Sequence, residues 1–144
     1  MLKKNWFPPR SPYTLIQELI WPDEWLTLIV CMMLNCTTRK QVEKILPKFQ
    51  ERYPTPQDFI VSNPTEVENI CRSLGFAKRR TKNMFKMTEA FLAGNWSTAR
   101  DLPGIGEYGS AAHKIFFEGD VPETPPNDHA LKQYVEWYNT NFRK

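Results

Sequence analysis

The chain has 144 residues, of which 41% are hydrophobic and 24% charged, and its formal net charge is +3. This length can bury a core without disulfides or a structural metal, and the composition is that of an ordinary globular protein. No apolar run approaches the roughly 18 residues of a membrane-spanning helix, and the first ten residues lack the apolar segment of a secretory signal, so we expect an intracellular protein without a membrane partner.

The first third of the chain predicts three helices. Ser11 followed by Pro12 predicts the first helix start, because serine is a favourable cap and proline fits the first helical position. Asp23 predicts the start of a second, mostly apolar helix that should be buried on most sides. Thr37 or Thr38 predicts the cap of a third helix.

Helical patterns continue through the rest of the chain. Short helices are expected at 56–61 and from Asn63-Pro64 to Gly75, and an amphipathic helix at 77–93 that Gly94 ends. The apolar face predicted for this last helix comprises Met84, Phe85, Thr88 and Leu92. No segment alternates as a half-buried strand does, so we predict an all-α fold. Only 118–127, with three prolines in ten residues, is expected to be an extended loop.

A glycine-rich turn is the most informative feature of the sequence. Gly104 and Gly106 flank Ile105, a proline precedes them, and small residues follow at 109–112. Glycine permits positive φ and a close approach to the backbone. Such a turn beside a helix start presents backbone N–H groups that bind a phosphate oxygen, directly or through a bound monovalent cation. Alone, the pattern is also compatible with a simple connector between two helices.

Basic residues are concentrated just before this turn. Five of them fall within nine positions: Lys78, Arg79, Arg80, Lys82 and Lys86. An isolated basic run is typical of a solvated helix face. Combined with the glycine turn, it predicts a surface that binds the phosphates of a nucleic acid.

The turn and several shorter blocks resemble the helix-hairpin-helix DNA glycosylase superfamily, and most closely the glycosylase domain of the methyl-CpG-binding-domain thymine glycosylase. The matching blocks, in chain order, are 8–12, Leu15 to Glu18, Leu34-Asn35, Lys48-Phe49, Leu74 to Phe76, Gly104 to Gly109 and Asp128 to Tyr134. The resemblance implies a two-lobed fold with the active site in a cleft between the lobes. It also implies one domain over residues 1–144, with the hairpin near 101–112 and the catalytic loop and final helix near 119–142.

The resemblance implies hydrolysis of thymine or uracil mispaired with guanine, with Asp128 as the catalytic carboxylate. Asp128 lies 20 residues after Tyr108, as the family spacing requires. By itself, an aspartate after prolines is typical of a helix cap. A carboxylate there suits the chemistry, because it stabilises the positive sugar that forms when a glycosidic bond breaks.

Other roles follow from matching positions. Tyr108 stands where strand-cleaving relatives carry a Schiff-base lysine, so we predict a monofunctional enzyme that leaves an abasic site. Tyr108 and Gln17 match residues of the base pocket, and Phe76 matches an apolar wedge that is leucine in the family. Cys36 departs from the pattern, because the family has an arginine there. Arg39 is the nearby arginine that is a candidate to take its place.

Cofactor and partner expectations complete the prediction. The cysteines, Cys31, Cys36 and Cys71, are odd in number and form no C-x-x-C pair, and none follows Cys71 where relatives bind an iron–sulfur cluster. We expect no cluster and no metal beyond the hairpin cation. The expected partner is double-stranded DNA with a mispaired or damaged base, bound by a monomer, in the nucleus if the source is eukaryotic.

Three alternatives stay open on the sequence alone. A non-catalytic helix-hairpin-helix module would explain the glycine turn and the basic run but would give Asp128, Tyr108 and Gln17 no role. A glycosylase of the same fold would act on another damaged base. A helical interaction domain unrelated to DNA would show no salt-dependent binding to a duplex.

Overall fold

The structure, a computed structural model, describes residues 5–35 and 37–143. The α-helices in these ranges are α1 Ile16–Ile20, α2 Glu24–Leu34, α3 Arg39–Arg52, α4 Pro56–Ile60, α5 Pro64–Cys71, α6 Ala77–Ala93, α7 Glu107–His113 and α8 His129–Phe142. Short 3-10 turns lie at Arg72–Leu74 and Ala99–Asp101, and a π-helical turn at Lys114–Glu118 extends α7. The described ranges contain no strand, so the all-α prediction is confirmed. None of their helices is long and apolar enough to cross a membrane.

Buried side chains form two clusters, and these are the cores of two lobes. The first lobe packs α2 to α6 around aromatic and aliphatic residues that include Trp25, Phe49 and Phe59. The second lobe packs the end of α7, its π-helical turn and α8 around Phe116 and Tyr134. Helix α2 contributes to both, because most of its apolar residues belong to the first cluster while Cys31 belongs to the second. The two-lobed prediction is therefore confirmed, with α2 as the shared element.

A buried histidine joins the first turn of α2 to the end of α7. His113 is 1% exposed, its Nε2 lies 2.6 Å from Oε2 of Glu24, and its Nδ1 lies 3.1 Å from Oε2 of Glu118. Trp96 packs its ring edge-on against the imidazole. Burying a polar group costs free energy unless the group is hydrogen-bonded, and here both ring nitrogens have carboxylate partners.

Most predicted helix starts and ends are confirmed. The Asp23 carboxylate accepts a hydrogen bond from Leu26 N at 3.0 Å, so Asp23 caps α2. Thr38 caps α3 by accepting from Gln41 N. Gly94 ends α6 in the left-handed conformation, with φ +75°.

The predicted start of the first helix is wrong. Helix α1 begins only at Ile16, because Thr14 has φ +49° and interrupts the helical path. The amide and hydroxyl of Ser11 instead donate to the buried Glu18 carboxylate, at 2.7 and 2.6 Å. Ser11 therefore tethers the N-terminal segment to the helix that it was expected to cap.

The predicted inward face of α6 is also partly wrong. Met84 and Thr88 are buried as expected, but Leu92 is 36% exposed. In the last turn Phe91 packs inward instead, with its ring stacked on Trp96 at 5.6 Å. The 3.6-residue period brings either position near the core, and the tryptophan beyond Gly94 selects Phe91.

Candidate active site

Asp128 lies at the N-terminus of α8, at the end of the proline-rich loop. Its Oδ2 accepts a hydrogen bond from Leu131 N at 3.1 Å, so the carboxylate caps the helix. The residue is solvent-exposed and lines a cavity of about 410 Å³. A negative charge is favourable at a helix N-terminus, where backbone N–H groups and the helix dipole point toward it. The cap therefore holds a carboxylate at the mouth of the cavity.

Gln17 and Tyr108, which are 91 positions apart in the chain, form one wall of the same cavity. Gln17 Nε2 donates to the Tyr108 hydroxyl at 2.6 Å. Gln17 is 1% exposed, and its Nε2 also lies 3.8 Å from Sγ of Cys31. With the amide as its donor partner, the tyrosine hydroxyl keeps its own proton to donate to another acceptor. The pair therefore gives the cavity that Asp128 lines a fixed polar wall.

Burial, the neighbouring Cys31 and the charge of Asp128 hold the pKa of Tyr108 well above its ordinary value. Burial likewise raises the pKa of the Cys31 thiol to about 12. Both groups are therefore neutral near pH 7, so neither provides a thiolate or phenolate nucleophile beside the cavity. Asp128 is the carboxylate among the residues that line it.

The glycine turn lines a separate cavity of about 140 Å³, which shares Asn35 and Tyr108 with the cavity beside Asp128. Gly104 has φ +79°, which glycine adopts without strain, and Ile105 is buried below the turn. Gly106 has φ −98°, a conformation open to any residue, and caps α7. A Cβ at Gly106 would have no neighbour within 4 Å, so the turn presents open backbone to solvent on this side.

The loop before α6 projects an aromatic side chain into solvent. Gly75 has φ +83° and Phe76 has φ +50°, which is unusual for a residue other than glycine. Phe76 is 74% exposed. The backbone at these two residues therefore turns the ring away from the core, beside a cavity of about 320 Å³ that extends to Gly104.

The basic residues of α6 divide into two groups. Lys78, Arg79 and Lys82 are exposed. Arg80 differs, because its guanidinium donates to protein acceptors on two neighbouring segments. Because these contacts occupy the donors of Arg80, we do not include this residue among the phosphate ligands that we propose below.

Two residues that line these cavities, Asn35 and Thr37, were not among the predicted site residues. Asn35 follows the last residue of α2 and lines the cavities beside Asp128, beside the glycine turn and beside Phe76. Thr37 lines the cavity beside Asp128. The signal in the sequence was a polar residue directly after an apolar helix. Cys36, between them, lies outside the described residues.

Arg39 also lines the cavity beside Asp128. Its Nη1 donates to the carbonyl of Thr14 at 2.7 Å, and its Nε donates to Glu43 at 3.1 Å. These two contacts fix an arginine at the cavity entrance. Over the described residues, no three histidine, cysteine, aspartate or glutamate side chains are grouped to hold a metal ion.

The family model described as HhH-GPD superfamily base excision DNA repair protein matches residues 29–142. A methyl-CpG-binding domain protein 4-like protein from Arabidopsis thaliana is 32% identical over 96% of this chain and 31% of its own length. A thymine-DNA glycosylase from Aeropyrum pernix is 30% identical over 64% of this chain and 46% of its own length. A thymine/uracil-DNA glycosylase from Pyrobaculum aerophilum is 31% identical over 79% of this chain and 52% of its own length. This chain thus spans about a third to about half of the length of these relatives.

Solved structures share the fold. A thermostable thymine-DNA glycosylase superposes with a TM-score of 0.64 at 20% identity, covering 90% of this chain and 70% of its own. An endonuclease III bound non-covalently to DNA superposes with a TM-score of 0.65 at 24% identity, covering 80% of this chain and 56% of its own. Together with the family match over residues 29–142, these findings show that the chain belongs to the HhH-GPD superfamily of base excision DNA repair proteins.

Proposed function

We propose that this protein is a monofunctional DNA glycosylase that removes thymine or uracil mispaired with guanine and leaves an abasic site. The observation that carries the proposal is the cavity lined by Asp128 and the Gln17–Tyr108 pair, because Tyr108 also lines the neighbouring cavity of the glycine turn. The relatives from Aeropyrum pernix and Pyrobaculum aerophilum, a thymine-DNA glycosylase and a thymine/uracil-DNA glycosylase, support this choice of base.

In the proposed reaction, the bond between the sugar C1′ and the base N1 breaks and its electron pair leaves with the base. Asp128 stabilises the positive charge that develops on the sugar. A water molecule then bonds to C1′ through its oxygen, and its proton is accepted by the carboxylate and passes to the departed base. The products are a free pyrimidine and an abasic sugar, so the balance requires only water.

Gln17 and Tyr108 are proposed to hold the extruded base during this step. A pyrimidine has carbonyl oxygens and ring nitrogens that accept or donate hydrogen bonds. The Tyr108 hydroxyl accepts from Gln17, so its proton is available to a base carbonyl. Negative charge on the leaving base strengthens such a hydrogen bond. The wall then stabilises the transition state for cleavage of the glycosidic bond more than it stabilises the bound substrate.

Contacts with the duplex are assigned to the surrounding surface. The backbone at Gly104, Ile105 and Gly106 is proposed to bind a phosphate, directly or through a bound monovalent cation. Lys78, Arg79 and Lys82 are proposed to bind further phosphates along α6, and Arg39 supplies a cation at the cavity entrance. Phe76 is proposed to fill the space that the extruded base leaves in the stack.

We propose that the two lobes over residues 1–144 act as one glycosylase domain and as a monomer on double-stranded DNA, because residues of both clusters, Leu34 of the first and Ala130 of the second, line the cavity beside Asp128. The proposal includes neither a metal beyond the hairpin cation nor an iron–sulfur cluster. If the source is eukaryotic, the site of action is the nucleus.

The proposed substrate is tested by base release from matched duplexes containing G·T, G·U, G·C and A·T pairs at one position. We expect release from G·T and G·U and none from G·C and A·T, because a mismatch lowers the cost of extruding the base. Release of only an alkylated or oxidised base would favour the alternative of a glycosylase with the same fold that acts on another damaged base. Salt-dependent binding without release from any duplex would favour the non-catalytic module.

The monofunctional character is tested by treating a reacting mixture with borohydride. We expect no covalent protein–DNA adduct and no strand break before alkali is added, because Tyr108 cannot form a Schiff base. A Tyr108→Lys variant is a useful comparison, since it places an amine at the position concerned. A trapped adduct with the unmodified protein would overturn this part of the proposal.

A further inference from the structure

Arg80 makes an unusually complete set of contacts for an arginine at a protein surface. Its Nε donates to the carbonyl of Gly75 at 2.9 Å. Its Nη1 donates to the carbonyls of Met32 and Met33 at 3.0 and 2.8 Å. Its Nη2 donates to the carbonyl of Asn35 and to the Thr37 hydroxyl. A guanidinium has five N–H donors, and each of them has an acceptor here.

These acceptors lie on two segments that the sequence separates by about forty residues. One segment is the loop that carries Phe76, and the other comprises the end of α2 together with Asn35 and Thr37. The Thr37 hydroxyl strengthens the connection, because it donates to the carbonyl of Leu74 at 3.3 Å. We name this set of contacts the Arg80 bridge.

The bridge reaches both parts of the proposed site. On one side it fixes the carbonyl of Gly75, the residue before the exposed Phe76 ring. On the other side it fixes Asn35 and Thr37, which line the cavity beside Asp128. The positive charge is also favourable at the C-terminus of α2, where helix carbonyls are left without intrahelical partners.

We propose that Arg80 is a positioning residue that holds the Phe76 loop in register with the cavity beside Asp128, so that insertion of the ring delivers the extruded base to the cavity. This inference rests on the proposed function. It assigns Arg80 a role that differs from phosphate binding by the neighbouring Arg79. The proposed role requires arginine at position 80, because a lysine has only three donors and lacks the planar fork.

Three variants test the bridge. Arg80→Lys keeps the charge but removes the fork, and Thr37→Val removes one tie while leaving the guanidinium in place. Arg52→Lys is the matched control, because Arg52 is an exposed arginine at the end of α3 that pairs with Glu66. Thermal unfolding of all three checks that they are folded.

The main measurement compares two duplexes under single-turnover conditions, one with uracil opposite guanine and one with uracil opposite an abasic site. We expect Arg80→Lys to slow release from the G·U duplex by about 10-fold or more, because several hydrogen bonds to a charged group are lost. We expect a much smaller change for uracil without a partner base, which is already easy to extrude. Thr37→Val should show the same pattern more weakly, and Arg52→Lys should show neither change.

Two further measurements separate positioning by Arg80 from phosphate binding by Arg79. Fluorescence of 2-aminopurine beside the mismatch reports extrusion without chemistry, and its rise on binding should be smaller with Arg80→Lys. Arg79→Met should reduce the slope of log affinity against log salt by about 0.9, the effect of one phosphate contact, while Arg80→Lys leaves the slope unchanged.

The outcomes distinguish this inference from the proposed function. No base release by the unmodified protein would overturn the proposed function, and the 2-aminopurine signal would still decide on the bridge. Equal slowing on both duplexes, a salt slope that falls with Arg80→Lys, or unchanged 2-aminopurine fluorescence would overturn the bridge.

Discussion

An Asp128→Asn variant is expected to release base at least about 100-fold more slowly than the unmodified protein. The range for a positioned acid or base is about 10²–10⁴-fold. Asparagine removes the negative charge that stabilises the sugar cation and cannot accept a proton from water. It remains a good N-cap, so α8 and the affinity for DNA should be preserved. The measurement is the single-turnover rate on a G·U duplex, with affinity measured separately by fluorescence anisotropy.

Asp23→Asn is the matched control for this variant. Asp23 also caps a helix by accepting a backbone hydrogen bond, at 3.0 Å from Leu26 N, but it is not among the residues that line the cavity beside Asp128. Its replacement should leave the rate unchanged. Equal losses in the two variants would mean that a helix cap, and not a reacting carboxylate, was removed. A normal rate with Asp128→Asn would leave the protein as a glycosylase with another catalytic group, or as a binding module.

Local sequence signals were sufficient for most helices. The cap at Asp23, the glycine after α6 and the glycine turn each act within a few residues, so their effects can be read from neighbouring positions. The same is true of Asp128 as a cap. Its place beside Gln17 and Tyr108 was expected from resemblance alone, since spacing along the chain does not show which residues share a cavity.

Two side chains have hydrogen-bond partners that local sequence signals do not show. Ser11 was expected to cap a helix, but its hydroxyl bonds the buried Glu18 carboxylate seven residues later. Arg80 was expected to face DNA with its neighbours, but its acceptors include carbonyls 47 and 48 positions away. In both cases, the side chain is oriented by a hydrogen-bond partner that tertiary packing brings close to it. A basic residue on a helix therefore cannot be assigned to DNA or to the protein from its charge alone.

The largest expected change in stability comes from Phe59→Ala in the first lobe. Phe59 is fully buried, and its ring lies 5.6 Å from that of Trp25, 5.8 Å from Phe49, 5.5 Å from Tyr53 and 4.5 Å from Phe85. Truncating such a side chain loses its burial and leaves a cavity, at a cost of about 3–5 kcal/mol. Since total stability is about 5–15 kcal/mol, the melting temperature should fall by roughly 10 °C or more. Urea and thermal unfolding measure both quantities.

Phe142→Ala is the control, because Phe142 is 52% exposed and packs only against Trp137 and Tyr138 among the ring contacts of the described residues. Its replacement should cost less than about 1 kcal/mol, in keeping with a surface position. Similar losses in the two variants would contradict the packing described for the first lobe. Below its lowered melting temperature, Phe59→Ala should still release base at the normal rate per folded molecule, because it changes neither Asp128 nor the Arg80 bridge. Asp128→Asn should show the reverse, a normal melting temperature with a lost rate, so the two variants separate the support of the cleft from the chemistry within it.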